Sequence, residues 1–282
     1  MSNAAERRSR HHRRSGAERL LIGLALALAA AILVVPLLLI FAFALREGIG
    51  AYLDQILQPD TVHAIWLTVL AALVVVPINI GFGVAAAWLV SRFRFPGRQL
   101  LLTLIDIPFS VSPIVAGVAY LFLYGAQGLF GPLLEAAGIR LMFTVAAIFL
   151  VSLFVTAPFV ARELIPLMQQ QGTDDEEAAL SLGASGWKMF WHVTLPNIRW
   201  ALIYGAILCN ARVMGEFGAV SVVSGAIRGK TNTLPLQISL LFNDFNVAGA
   251  FAAASTLAFI AVLTLIAKAA LEAHGWRKAG AR

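Results

Sequence analysis

Chemistry in this 282-residue sequence rests on a few charged and small residues set among apolar ones. Arg212 and Glu216 stand four apart in an apolar stretch, which places both on one face of a helix. Two readings stay open for them. They form a structural ion pair inside a bundle, or the arginine faces a wet path and attracts an anion, with Ser110, Ser112 and Asn210 as neutral hydrogen-bond partners. A strong, complete anion site would work against passage, because a transporter must also release what it binds. Asp106 lies just before Pro108 in another apolar stretch. The proline frees backbone groups there, so the carboxylate is expected to fix a broken helix rather than to catalyse.

Gly225-Ala226-Ile227-Arg228-Gly229-Lys230-Thr231 looks like a phosphate-binding loop but fails on spacing. That loop needs G-x4-G-K-[S/T] after a strand, and the position of its first glycine is Ser224 here. ATP is therefore expected on another chain. His63 and His192 are isolated, and the single cysteine, Cys209, excludes an intramolecular disulfide. No His/Cys/Asp grouping has metal-ligand spacing and no nucleophile stands beside a base, so no catalytic residue, metal or cofactor is expected in this chain.

The elements that must position these residues follow from the composition. Hydrophobic residues make up 60% of the chain and only 36 residues are charged, half the share of roughly 25% usual in soluble domains. Leu20 to Leu45, Ala64 to Val90, Leu141 to Ala161 and Phe245 to Ala267 carry no charge at all, and each reaches the ~20 residues that cross a hydrocarbon core. Two further runs are interrupted: Leu100 to Ala126 by Asp106, Pro108 and Pro113, and Trp200 to Gly225 by Arg212 and Glu216. Continuous apolar runs exclude a β-barrel, whose strands would alternate. Lipid leaves backbone groups no outside partner, so the fold class is all-α, a membrane bundle of six transmembrane helices. The first run is too long for the apolar core of a cleaved signal peptide, about 7–15 residues, so it is expected to remain as an anchored helix.

Charge sets the direction. With the N-terminus inside, the inner segments (1–19, 91–99, 162–199, 268–282) hold sixteen Lys and Arg and the outer ones hold four. That asymmetry puts both termini in the cytoplasm. The net charge of +6 then records orientation and calls for no nucleic-acid partner. Residues 1–19 and 272–282 read as tails around a transmembrane domain at 20–271. Trp66, Trp88, Trp200 and Trp276 fall near the expected span ends, where indoles prefer to sit.

The longest inner segment should form a hairpin over residues 173–196. Thr173 with Glu176 reads as a capping box opening a helix on the acids Asp174 to Glu177. Gly183 is placed to end that helix, and Ser185 to cap a second one over Gly186 to His192, bearing Trp187, Phe190 and Trp191. Pro196 then opens the next span. Taken bare, this is a large interfacial loop.

Its spacing says more. Glu177-Ala178-Ala179, three residues, Gly183, nine residues, then Val193-Thr194-Leu195-Pro196 resembles the EAA loop of ABC-importer membrane subunits, E-A-A-x3-G-x9-I-x-L-P, with Val193 as the one departure. The likeness extends over roughly residues 60 to 270. His63 to Thr68, Phe95 to Gln99, Asp106 to Phe109 with Ser112-Pro113, Leu195 to Trp200 and Gly215 to Gly225 look like the W-type permease subunits of sulfate/thiosulfate ABC importers. The resemblance implies a cytoplasmic coupling hairpin that docks on an ATPase through Glu177, Ala178, Ala179, Gly183, Leu195 and Pro196. It also implies a T-type sister subunit, two ATPase subunits holding ATP and Mg, an external sulfate/thiosulfate-binding protein and an inner-membrane location. Pro108, Pro113, Gly215 and Gly218 are the expected helix breaks, where moving gates would lie. A molybdate or tungstate permease is the nearest alternative, since the Gly215 to Ala219 string is shared more widely. An ion-coupled secondary transporter using Asp106, Arg212 and Glu216 is a further one, disfavoured by the docking hairpin and the absence of an inverted repeat.

Overall fold

In a computed structural model that describes residues 16–279, the charge-free runs become helices. Residues 1–15 of the expected basic tail and residues 280–282 lie outside the described residues. Helices α1 (Gly16–Ala29) and α2 (Val35–Ala44) are joined by a π-helical turn at Ala30–Val34. Pro36 in the first turn of α2 lacks an amide hydrogen, and the wider turn before it absorbs the mismatch. The short α3 (Ile49–Ile56) leads into α4 (Pro59–Arg92). At about 1.5 Å per residue, α4 is longer than a hydrocarbon core is thick.

Helices α5 (Arg98–Ser110) and α6 (Pro113–Tyr124) meet at a bend of 110°. Only one of the two expected proline breaks is there. Pro108 does not break its helix, because α5 runs on past it to Ser110; an interior proline costs a hydrogen bond that the turns on either side can bridge. Pro113 acts on the residue before it, driving Ser112 to φ −58°, ψ 135°, a geometry no helix continues through.

The remaining elements are α7 (Gly131–Ala136), α8 (Val145–Thr156), α9 (Pro158–Gln171), α10 (Asp174–Ser181) and α11 (Gly186–Met189), then a second π segment at Phe190–Thr194. They are followed by α12 (Leu195–Met214), α13 (Gly218–Val223), α14 (Leu234–Asn243) and α15 (Val247–Ala279). Among the described residues four stretches are long and apolar enough to cross a membrane: Leu20–Ala44, Pro59–Arg92, Val145–Gln171 and Val247–Thr264. The bent α5–α6 pair makes a fifth if counted as one span. The sixth expected span, 200–225, is not one helix: α12 stops at Met214 and α13 starts at Gly218. Expected ends also shift, since α9 continues to Gln171 and α15 runs past 267.

The core lies where α4, α8, α9, α12 and α13 meet, around Val75, Val151, Val160, Leu164, Ile198 and Val220, all fully or almost fully buried. Lipid supplies no hydrophobic drive between helices, so close approach through small residues has to hold them. A Cβ on Gly83 of α4 would stand 2.6 Å from the Val160 side chain of α9, and one on Gly117 of α6 would stand 2.8 Å from the Ala219 carbonyl oxygen of α13. A polar clasp adds direction. Asn79 Nδ2 of α4 donates to Thr156 Oγ1 of α8 at 2.7 Å, and Thr156 Oγ1 donates to the Ser152 carbonyl at 2.6 Å. Outside this core, large apolar side chains such as Leu33, Leu73 and Phe122 face outward.

Two glycine-to-alanine changes should separate packing from propensity. Gly117→Ala is expected to destabilise the detergent-solubilised protein by about 1–3 kcal/mol through overpacking. Gly81→Ala, where a Cβ meets nothing, should be neutral or stabilising by up to about 1 kcal/mol. Equal thermal unfolding of the two variants would contradict this account.

Candidate functional site

The hairpin is built from local signals plus one distant partner. Gly183 takes φ +86°, a left-handed geometry that suits glycine, and the turn closes by bonds from Gly183 N–H to the Leu180 carbonyl (2.9 Å) and Ala184 N–H to the Ala179 carbonyl (3.0 Å). A Cβ there would meet no atom, so the constraint at Gly183 is conformational rather than steric. Ser185 Oγ accepts from Lys188 N–H at 3.4 Å and caps α11. The expected helix over Gly186 to His192 divides: α11 ends at Met189 and the chain passes through the π segment into α12.

The expected capping box does not form. Thr173 Oγ1 donates instead to Glu177 Oε1 at 2.7 Å, and Glu176 is buried, with its Oε2 2.8 Å from Arg92 Nε. A charged partner outbids a backbone amide for that carboxylate. What remains on the open face of the hairpin is Glu177, Ala178, Leu182 (89% exposed), Trp187 (71% exposed) and Trp191, with Ala179 and Leu195 half-buried and Pro196 exposed.

At the other end of α12, Arg212 Nη2 lies 2.8 Å from Glu216 Oε2. The two are unequally covered, with 32% of the Arg212 side chain exposed and 1% of the Glu216 side chain. Glu216 Oε1 also accepts the Ala219 N–H at 2.9 Å, so one carboxylate ties the end of α12 to the first turn of α13. Gly218 packs on the other interruption: a Cβ there would be 3.1 Å from Pro113 Cβ. The structure therefore brings the 110–113 and 215–218 breaks together. It does not gather the expected neutral partners onto Arg212. Ser110 Oγ donates to the Asp106 carbonyl at 3.5 Å, Asn210 Nδ2 lies 3.6 Å from Met214 Sδ, and Ser112 is exposed.

Two residues of consequence were not singled out from the sequence. Arg162, counted there at the start of an inner segment, sits within α9; its Nε is 3.0 Å from Asp106 Oδ1 and its guanidinium lies 4.4 Å from the Phe109 ring centre. The signal was present, since between Pro158 and Gly172 the one stop signal is Pro166, four residues beyond Arg162, and α9 runs through it. Arg92 is the other, and no local signal pairs it with Glu176. In the loop that mimics a phosphate site, Thr231 Oγ1 donates to the Ser224 carbonyl (2.7 Å) and accepts from Ile227 N–H (3.2 Å), so the hydroxyl is committed to the loop's own backbone. Among the described residues no group of three or more His, Cys, Asp or Glu gathers as metal ligands.

A family profile described as binding-protein-dependent transport system inner membrane component matches residues 79–274. The chain belongs to that family. It is a multi-pass inner-membrane transport subunit. The sulfate transport system permease protein CysW of Escherichia coli (strain K12) is 55% identical over 257 residues, covering 91% of this chain and 87% of that relative. CysT, a sulfate transport system permease protein of the same strain, is 34% identical over 257 residues, covering 91% of this chain and 93% of that relative. Among solved structures, a bacterial ABC transporter involved in the import of the acidic polysaccharide alginate matches with TM-score 0.71 over 92% of this chain and 96% of that one; at 16% identity the likeness is one of fold.

The ion pair at the α12–α13 break predicts a rescue. Arg212→Gln should lower stability by about 3 kcal/mol, because it leaves a buried carboxylate without its cation. Adding Glu216→Gln should recover part of that loss. Thermal unfolding in detergent reads both, and a double variant as unstable as the sum of the singles would overturn the pairing.

Proposed function

We propose that this chain is the W-type permease subunit of an ABC importer for sulfate and thiosulfate. The observation that carries the reading is the gap between 55% identity to CysW and 34% to CysT over the same length. The chain fills the first place and leaves the second for a T-type sister. An external binding protein would deliver the anion, in keeping with a family described as binding-protein-dependent, and two cytoplasmic ATPase subunits would bind ATP and Mg2+ in this reading. Sixteen basic residues against four support cytoplasmic termini and a cytoplasmic hairpin.

The mechanism follows from where the rigid and broken pieces lie. Closure of the ATPase pair pushes on Glu177, Ala178, Ala179 and Gly183, and the exposed Trp187 and Leu182 enlarge that face. Leu195 and Pro196 carry the push into α12, a continuous helix of 20 residues. The bundle yields at its two interruptions, 110–113 and 215–218, which act as the gates. Arg212, partly exposed beside the break, offers the anion a cation already balanced by Glu216. Ser110, Ser112 and Asn210 do not gather on Arg212 and are left out of this contact. Weak attraction suits a site that must release.

The experiment is to assemble the chain with its sister, the ATPases and the binding protein, and to measure which anion stimulates ATP hydrolysis. Sulfate and thiosulfate should do so, and molybdate or tungstate alone would overturn the substrate reading. Gly183→Val is expected to leave the protein in the membrane while ATPase co-purification is lost and sulfate uptake falls at least about tenfold, since a β-branched residue resists φ +86°. Unchanged co-purification and uptake would overturn the docking assignment.

A further inference from the structure

Outside the α12–α13 break, the best-buried ion pair among the described residues is Arg92 with Glu176, whose side chains are 8% and 10% exposed. Four elements meet on it. Arg92 is the last residue of α4; its Nη1 donates to the Met168 carbonyl of α9 at 2.7 Å and its Nε lies 2.8 Å from Glu176 Oε2 of α10. The second carboxylate oxygen, Glu176 Oε1, accepts from Thr194 Oγ1 at 2.7 Å, and Thr194 is the residue from which α12 starts.

The other polar ties around the hairpin are weaker. Gln171 Nε2 donates to the Asn197 carbonyl at 3.3 Å and Asn197 Nδ2 to Asp175 Oδ2 at 3.2 Å, both exposed to competition from water. A buried ion pair adds little net stability compared with apolar side chains of similar size, so its use is better sought in specifying geometry. Here the geometry is mechanical. The hairpin's open face carries Glu177, and the neighbouring Glu176 points inward to α4, α9 and the α12 entrance.

We propose that Arg92 and Glu176 are positioning residues that form the joint through which the hairpin moves the bundle, transmitting displacement of α10 to α4 and α12 together. The inference rests on the importer reading above. It adds to that reading an internal linkage distinct from the docking surface.

The test uses the assembled transporter in proteoliposomes, with ATP hydrolysis, sulfate uptake and ATPase co-purification measured on each variant. Glu176→Gln keeps the size and the Thr194 contact but removes the charge. ATPase binding and hydrolysis should persist while sulfate transported per ATP falls at least about tenfold. Arg92→Gln should do the same, and the exchanged pair Arg92→Glu with Glu176→Arg should recover part of the coupling. Three outcomes overturn the joint: transport per ATP unchanged in both single variants, loss of ATPase binding in step with uptake, or failure of both single variants to accumulate in the membrane. An unmodified assembly that neither binds the ATPases nor transports sulfate refutes the importer reading instead, so the two failures are distinguishable.

Discussion

Unpaired backbone at membrane depth is the constraint on which this fold turns, and it is met by stacking one broken helix on another. The residue before Pro113 is extended and α12 stops at Met214, so two runs of apolar sequence each contain a stretch that cannot complete its own ladder. Lipid offers such groups nothing. The structure places α6 against α13, with Gly117 under the Ala219 carbonyl and Gly218 against Pro113, close enough that a single Cβ would not fit at Gly117. Glu216 takes the Ala219 amide. Breaks that would be liabilities alone become one packed, locally irregular region surrounded by regular helices.

The same economy governs charge. Arg212 is matched to Glu216, Arg162 to Asp106 and Arg92 to Glu176, so each of these three arginines meets a carboxylate. A lone arginine at the centre of a span costs at least about 2.5 kcal/mol. Pairing removes much of that cost and leaves the interior close to neutral, while the net charge of +6 sits on the flanks.

Much of this was legible in the sequence, and the misses have physical causes. The charge-free runs announced helices because continuous apolarity at that length has one stable form in lipid. Gly183 and Ser185 announced a turn and a cap because both act on backbone groups within a few residues. Pro108 misled because a proline inside a helix removes one bond without forbidding continuation, whereas Pro113 dictates the geometry of Ser112. Arg162 was misassigned because hydropathy ends where charge begins, and helices do not: α9 continues for nine residues beyond it. Glu176 was read as a local cap when its partner, Arg92, lies on another helix, and no spacing rule reaches across that distance.

These pieces define how α12 is held. Its entrance is fixed by Thr194 on the Glu176 carboxylate and its exit by Arg212 on the Glu216 carboxylate. Between them Ile198, Gly205 and Cys209 are buried, and Gly205 stands against the Val160 backbone of α9. The helix is held at both ends by a carboxylate and along its side by close contact, and a regular helix of 20 residues spans about 30 Å. That is the thickness of the hydrocarbon core. One unbroken element therefore reaches from the hairpin to the stacked breaks, with a π segment at its entrance and the interruption before α13 at its exit.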